Sequence, residues 1–183
     1  MIGTLAERER ARGSGPVAVV SGDRDLFQLV CDPDVYVLYP VRGVTEMHRV
    51  DEAHVASKYR IPGRAYADFA VLRGDPSDGL PGVKGIGEKT AASLLTRYGS
   101  LEKIVEAARA EPGAGGLSRV AAQVDYVERA QRVVAIPRDL PLPDDLDLTR
   151  PRGDAPEALF EAAAGLGLTG AVNRLVTALQ GDA

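Results

Sequence analysis

Four aspartates in this sequence fall into two closely spaced pairs, Asp23 with Asp25 and Asp75 with Asp78. Carboxylate oxygens are the ligands that hard divalent cations prefer, so two such pairs brought together in space would make a metal centre. Each pair has a plainer reading. An aspartate ahead of a helix caps it and stabilises by roughly 1 kcal/mol. That accounts for one aspartate. Two acids at each of two places, the second pair flanking Pro76 and Ser77 in a short polar loop, point instead to a metal site.

A second chemistry comes directly after the second pair. Pro81-Gly82-Val83-Lys84-Gly85-Ile86-Gly87 puts three glycines and a proline into one short turn-rich segment. Glycine lets a backbone turn with positive φ and come close to a ligand. The spacing of Ala91, Leu94, Leu95 and Tyr98 predicts a helix over Glu88–Tyr98, and bare amides at a helix start form a phosphate site. Lys89 adds a cation in the first turn. Two better-known glycine motifs are absent: Glu88 separates Gly87 from Lys89-Thr90, which breaks a P-loop, and a dinucleotide fingerprint would need glycine where Thr90 stands. The remaining readings are an ordinary helix–turn–helix corner and a helix–hairpin–helix that grips one DNA strand by its phosphates.

The whole string, Gly74-Asp75-Pro76-Ser77-Asp78-Gly79-Leu80-Pro81-Gly82-Val83-Lys84-Gly85-Ile86-Gly87-Glu88-Lys89-Thr90-Ala91, resembles the helix–three-turn–helix of the 5′-nuclease family. That family comprises flap endonucleases and the 5′-nuclease domain of bacterial family A DNA polymerases. Ser21-Gly22-Asp23-Arg24-Asp25-Leu26-Phe27-Gln28-Leu29-Val30 resembles the family segment that carries two metal-binding aspartates. The resemblance implies hydrolysis of DNA phosphodiesters at a 5′ end or flap junction, in replication and repair, with Mg²⁺ or Mn²⁺ held by Asp23, Asp25, Asp75 and Asp78. It implies phosphate contacts from Gly82, Val83, Lys84, Gly85 and Gly87, with Lys89 and Thr90 beside them. It further implies a monovalent cation at the hairpin, and DNA polymerase and ligase as working partners. Gly79 departs from the family, which commonly has Asn there.

The elements that must position these residues are α/β in pattern. A helix is expected over Ile2–Arg12, and Val17–Val20 reads as a strand buried on both faces of a parallel sheet. Its end would place Asp23 and Asp25 at the carboxyl edge of the sheet, where ligands gather in such folds. A helix over 26–30 and strands over 35–39 and 43–47, turning at 40–43, come next. Asp51 caps a helix running to Tyr59, and another spans 64–72. Beyond the hairpin, Ser100 caps Leu101–Ala110, 111–116 is a loop, and one helix covers 120–133. An acidic connector, 137–156, with Asp144, Asp145 and Asp147 as solvated surface, leads to two closing helices over 158–168 and 169–179. The expected fold class is the C-terminal part of a PIN-like parallel-sheet nuclease domain (residues 1–74), followed by the helix–hairpin–helix and a C-terminal α-helical subdomain (75–183).

Composition narrows the setting. The chain has 183 residues, 45% hydrophobic and 26% charged, which is ordinary for a globular protein. One cysteine, Cys31, rules out an internal disulfide and suits the cytoplasm. His48 and His54 have no cysteine partners, so zinc is not expected. No apolar run approaches membrane-spanning length. A net charge of −4 argues against a protein that coats nucleic acid non-specifically. The family's earlier part, with its first acidic strands, helical arch and Glu-Ala-Asp-Asp cluster, has no counterpart here. The opening Met1-Ile2-Gly3-Thr4-Leu5-Ala6 matches the family's helix just after that cluster, as if a start had been read at an internal valine codon. Two expectations result: a 5′ nuclease that is weak or inactive as this chain alone, or a non-catalytic DNA-binding module.

Overall fold

The computed structural model describes residues 1–13, 15–43, 45–113, 115–146, 148 and 154–180. Val44 of the expected second hairpin strand, Ala114 of the loop, and Asp147 with 149–153 of the connector lie outside that set. The chain divides into two compact units, Met1–Leu142 and Pro143–Ala183.

The first unit opens with helix α1 (Ile2–Arg12) and strand β1 (Val17–Val20). A six-residue 3₁₀ segment, Arg24–Leu29, comes next, then strands β2 (Val35–Arg42) and β3 (Glu46–Val50). The sheet order is β1-β2-β3, with β1 parallel to β2 and β2 antiparallel to β3. The sheet is therefore mixed: a parallel pair, β1 with β2, continued by the antiparallel hairpin expected in the 35–47 region. β1 is not buried on both faces as expected: Val19 is buried but Val20 is 60% exposed, since among the described residues β1 pairs with β2 alone. The hairpin turn lies later than 40–43. Pro40 is inside β2, tolerated where the pairing with β3 shifts register between Pro40 and Arg42, since proline has no N–H for the ladder.

Helix α2 (Glu52–Tyr59) begins at Asp51, whose carboxylate accepts the His54 N–H at 2.9 Å. A 3₁₀ turn, Gly63–Ala65, feeds α3 (Tyr66–Arg73). After the hairpin come α4 (Glu88–Tyr98) and α5 (Leu101–Ala110), then α6 (Gly116–Ala121) and α7 (Val124–Val134). The single helix expected over 120–133 is broken at Ala122–Gln123. One hydrophobic core runs from Ala6 to Val134 and takes in α3, the hairpin's Val83 and Ile86, α4, α5 and α7. That core includes residues on both sides of 74/75. Residues 134–140 strap back onto this unit: Gln28 bonds the Val134 carbonyl and the Ile136 N–H, and Thr4 accepts the Leu140 N–H.

The second unit holds α8 (Glu157–Gly165) and α9 (Thr169–Gln180), joined through Leu166–Leu168. Among its described side chains, Ala163 is the buried one.

Candidate metal centre and nucleic-acid interface

The two aspartate pairs are carried by elements that the core joins. Leu26 and Phe27, directly after Asp25, are buried, and so is Leu72 at the end of α3. The Phe27 ring meets Tyr66 of α3 edge-on, with centroids 5.3 Å apart. Edge-to-face contacts of this kind add about 1 kcal/mol to the area buried. They fix the segment bearing Asp25 against the helix that delivers Asp75.

Asp25, Asp75 and Asp78 converge, each offering an oxygen within 4.8 Å of the others. Asp23 stands apart from that trio. Its Oδ1 accepts the Asp25 N–H at 2.9 Å, which is the capping geometry, and its charge bears on Asp25 from there. Asp75 starts a small closed loop: it exchanges both backbone hydrogen bonds with Leu80, at 3.0 and 2.9 Å, around the 3₁₀ turn Pro76–Asp78. Gly79 ends that turn in the left-handed region at φ 69, so the departure from Asn keeps a residue suited to the conformation.

The acids differ in electrostatics. Burial, then the charges of Asp78, Asp23 and Asp75, push the Asp25 carboxyl up to about 6. Asp75 is held below the usual carboxylate range by the Ser77 hydroxyl at 2.5 Å and the Ser77 N–H at 3.0 Å, with help from Arg73 and Arg24. One acid is thus kept charged by donors, while its neighbour resists charging. Like-charge crowding is what a bound cation relieves, and a three-carboxylate set suits a hard divalent ion.

The hairpin is set by backbone contact. Gly82, at φ 74, lies so close to α3 that a Cβ there would sit 2.5 Å from the Arg73 carbonyl oxygen. The Gly82 N–H donates to Tyr126 Oη at 2.8 Å, the Val83 N–H to the Leu72 carbonyl at 3.0 Å, and the Lys84 N–H to Gln123 Oε1 at 3.0 Å. The expectation that the amides of Gly82 and Val83 meet phosphate is therefore corrected. Both residues are buried, and their donors already hold the turn to its neighbours. Lys84, Gly85, Gly87 and Lys89 are exposed. Thr90 is half-buried, and its methyl group lies against Gly116 of α6.

Helix α4 starts at Gly87 with no side-chain cap, so its first amides remain available to an anion. Arg119 of α6 was missed in the sequence. Its guanidinium lies over Gly85 and donates to the Gly85 carbonyl at 2.7 Å. The Val83 carbonyl likewise accepts from Ile86 at 2.9 Å. These carbonyls are the kind of ligand a monovalent cation would use, and the turn has a cation of its own there. Gln123 and Tyr126 were also missed. Their signal is tertiary: Gln123 leaves helical geometry, at φ −137, and reaches a turn 39 residues away in sequence.

A family model for the 5′-3′ exonuclease, C-terminal SAM fold, matches residues 61–157, more than half of the chain. The chain belongs to the 5′-3′ exonuclease family. Asp75, Asp78 and the hairpin lie inside the matched region, and Asp23 and Asp25 precede it. A 5′-3′ exonuclease of Streptomyces coelicolor is 50% identical over 92% of this chain and 58% of its own length. One from Mycobacterium tuberculosis is 46% identical over 98% of this chain and 59% of its own length. The chain thus spans just under three fifths of these exonucleases. A DNA polymerase I of Mycobacterium tuberculosis is 45% identical over 82% of this chain, which corresponds to 16% of that protein. Among solved structures, the 5′-exonuclease of bacteriophage T5 superposes with a TM-score of 0.60 at 18% identity, over 72% of this chain and 52% of that one. A bacteriophage T5 flap endonuclease in a pseudo-enzyme-product complex with DNA and metal ions gives 0.60 at 17% identity, over 73% and 47%. At such identity these likenesses establish the fold. Among the described residues no helix is long and apolar enough to cross a membrane.

Proposed function

We propose that this chain supplies carboxylates and a phosphate-gripping hairpin to a metal-dependent 5′-3′ exonuclease that also cuts 5′ flaps in DNA. The convergence of Asp25 with Asp75 and Asp78, on the loop that runs into the hairpin, carries the proposal. Mg²⁺ or Mn²⁺ is the cation we assign, with Asp25, Asp75 and Asp78 as ligands and Asp23 adding charge behind them. Bound divalent ions polarise a phosphodiester and lower the pKa of water. The residues do the remainder. Ser77 and Arg73 keep Asp75 ionised and fixed in orientation. Asp25 must lose its proton for the cluster to act as a full ligand set.

Strand binding falls to the amides of Gly85, Gly87 and the first turn of α4, with Lys84, Lys89 and Arg119 as cations around them. Such contacts reach phosphates and carry no base information. The reading places the protein in the cytoplasm, working on DNA alongside a polymerase and a ligase in replication and repair. A labelled 5′-flap substrate tests it. Mg²⁺-dependent release of short 5′ products, lost in Asp75→Asn/Asp78→Asn, is the expected result. Cleavage that survives that double substitution would refute it.

A further inference from the structure

A cavity of about 270 Å³ opens between the 3₁₀ segment Arg24–Leu29, β2, β3 and α2. Arg24, Tyr39, His48, His54 and Lys58 line it, and the remaining lining residues are apolar. Among the described residues no carboxylate lines it. The Arg24 Nε donates to Tyr39 Oη at 3.3 Å, with the guanidinium 5.9 Å from the centre of that ring. The Lys58 ammonium lies 5.4 Å from the Tyr59 ring. Among the described residues neither cation has an ion-pair partner. The imidazoles of His48 and His54 are 6.2 Å apart, centre to centre.

These groups share one chemistry. A guanidinium, an ammonium, two imidazoles and a phenol are donors set around a space sized for a small anion, with no acid in its lining to neutralise them. Arg and Lys donors to phosphate oxygens form charge-assisted bonds, roughly twice as strong as neutral ones. We propose that this cavity binds a phosphate group, supplied by the DNA strand that reaches the Asp25–Asp75–Asp78 cluster. Arg24 makes the connection, since it lies between Asp23 and Asp25 in sequence and its charge bears on Asp75. Burial first, and after it the charges of Lys58 and His48, lower the His54 imidazole from its ordinary range. Asp51, whose carboxylate caps α2, works in the opposite direction on His54.

The strand as source of the phosphate rests on the nuclease reading, but the site can be measured without metal or cleavage. The chain has two histidines, and both line the cavity, so their imidazole C2–H proton resonances report on it directly. With EDTA present, inorganic phosphate and a short 5′-overhang DNA duplex are titrated separately into the full chain. Both should shift the two resonances saturably. Lys58 is exposed on α2, so Lys58→Gln should fold normally and weaken the phosphate response about tenfold, the loss of one charge-assisted bond. Lys89→Ala should weaken the DNA response and leave that to inorganic phosphate intact. A shift with inorganic phosphate but none with DNA would keep the site and overturn the strand as its source. No saturable shift with either would overturn the proposal, whatever the acidic cluster does with metal.

Discussion

Replacing Asp25 with Asn should stabilise the metal-free protein while removing its response to metal. The metal-free carboxyl rises from 3.8 to about 6 on folding. The folded state then binds this proton more tightly than the unfolded state does, so stability falls as pH climbs from about 4 to about 6 and stays reduced above that. At about 1.4 kcal/mol per tenfold change in proton affinity, the full cost would be ~3 kcal/mol. Asp25 is only half-buried, and solvent screening reduces that figure to ~1 kcal/mol. The substituted amide carries no charge to repel Asp75 and Asp78, and the backbone N–H at this position can still meet Asp23. The expected result at pH 7.5 in EDTA is a gain of about 3 °C in Tm for a chain of this length. The gain should vanish at pH 4, where the native carboxyl is protonated anyway. With millimolar Mg²⁺ the order should reverse, because the native cluster gains from binding and the variant does not. Calorimetric melts at both pH values, with and without metal, measure all four cases. A variant less stable in EDTA at pH 7.5, or one stabilised by Mg²⁺ as much as the native chain, would refute the reasoning.

Two further substitutions probe the hairpin. Gly82→Ala must hold a Cβ 2.5 Å from the Arg73 carbonyl oxygen at φ 74; it should lose at least about 2 kcal/mol in urea unfolding, beyond the cost of the left-handed conformation alone. Lys89→Ala should leave stability unchanged, weaken DNA binding alike on every sequence, and flatten the plot of log affinity against log salt by about one, as measured by fluorescence anisotropy.

Most helices are legible from local signals. Asp51 and Ser100 cap α2 and α5 as the sequence suggests, and the spacing of Ala91, Leu94 and Leu95 gives the buried face of α4. Of the four aspartates singled out by their spacing, Asp25, Asp75 and Asp78 come within reach of one another, while Asp23 takes the capping role that the sequence equally allowed. What local signals miss is decided by partners far along the chain. Val17–Val20 has the residues of a buried strand, yet its exposure depends on which strands flank it. Gln123 reads as helix interior but breaks the helix to clamp Lys84. Gly82 and Val83 look like free amide donors until Tyr126 and Leu72 accept from them. Asp23 and Asp25 look equivalent in sequence, yet Asp23 caps the turn while Asp25, on the segment whose Phe27 packs against Tyr66, joins Asp75 and Asp78.

The most direct test of the metal centre is anomalous diffraction from a crystal of the full chain soaked in Mn²⁺. The account predicts a peak bounded by the carboxylates of Asp25, Asp75 and Asp78, with Asp23 still capping the Arg24–Leu29 turn. Manganese bound elsewhere, with those three carboxylates unchanged and metal-free at millimolar Mn²⁺, would contradict it.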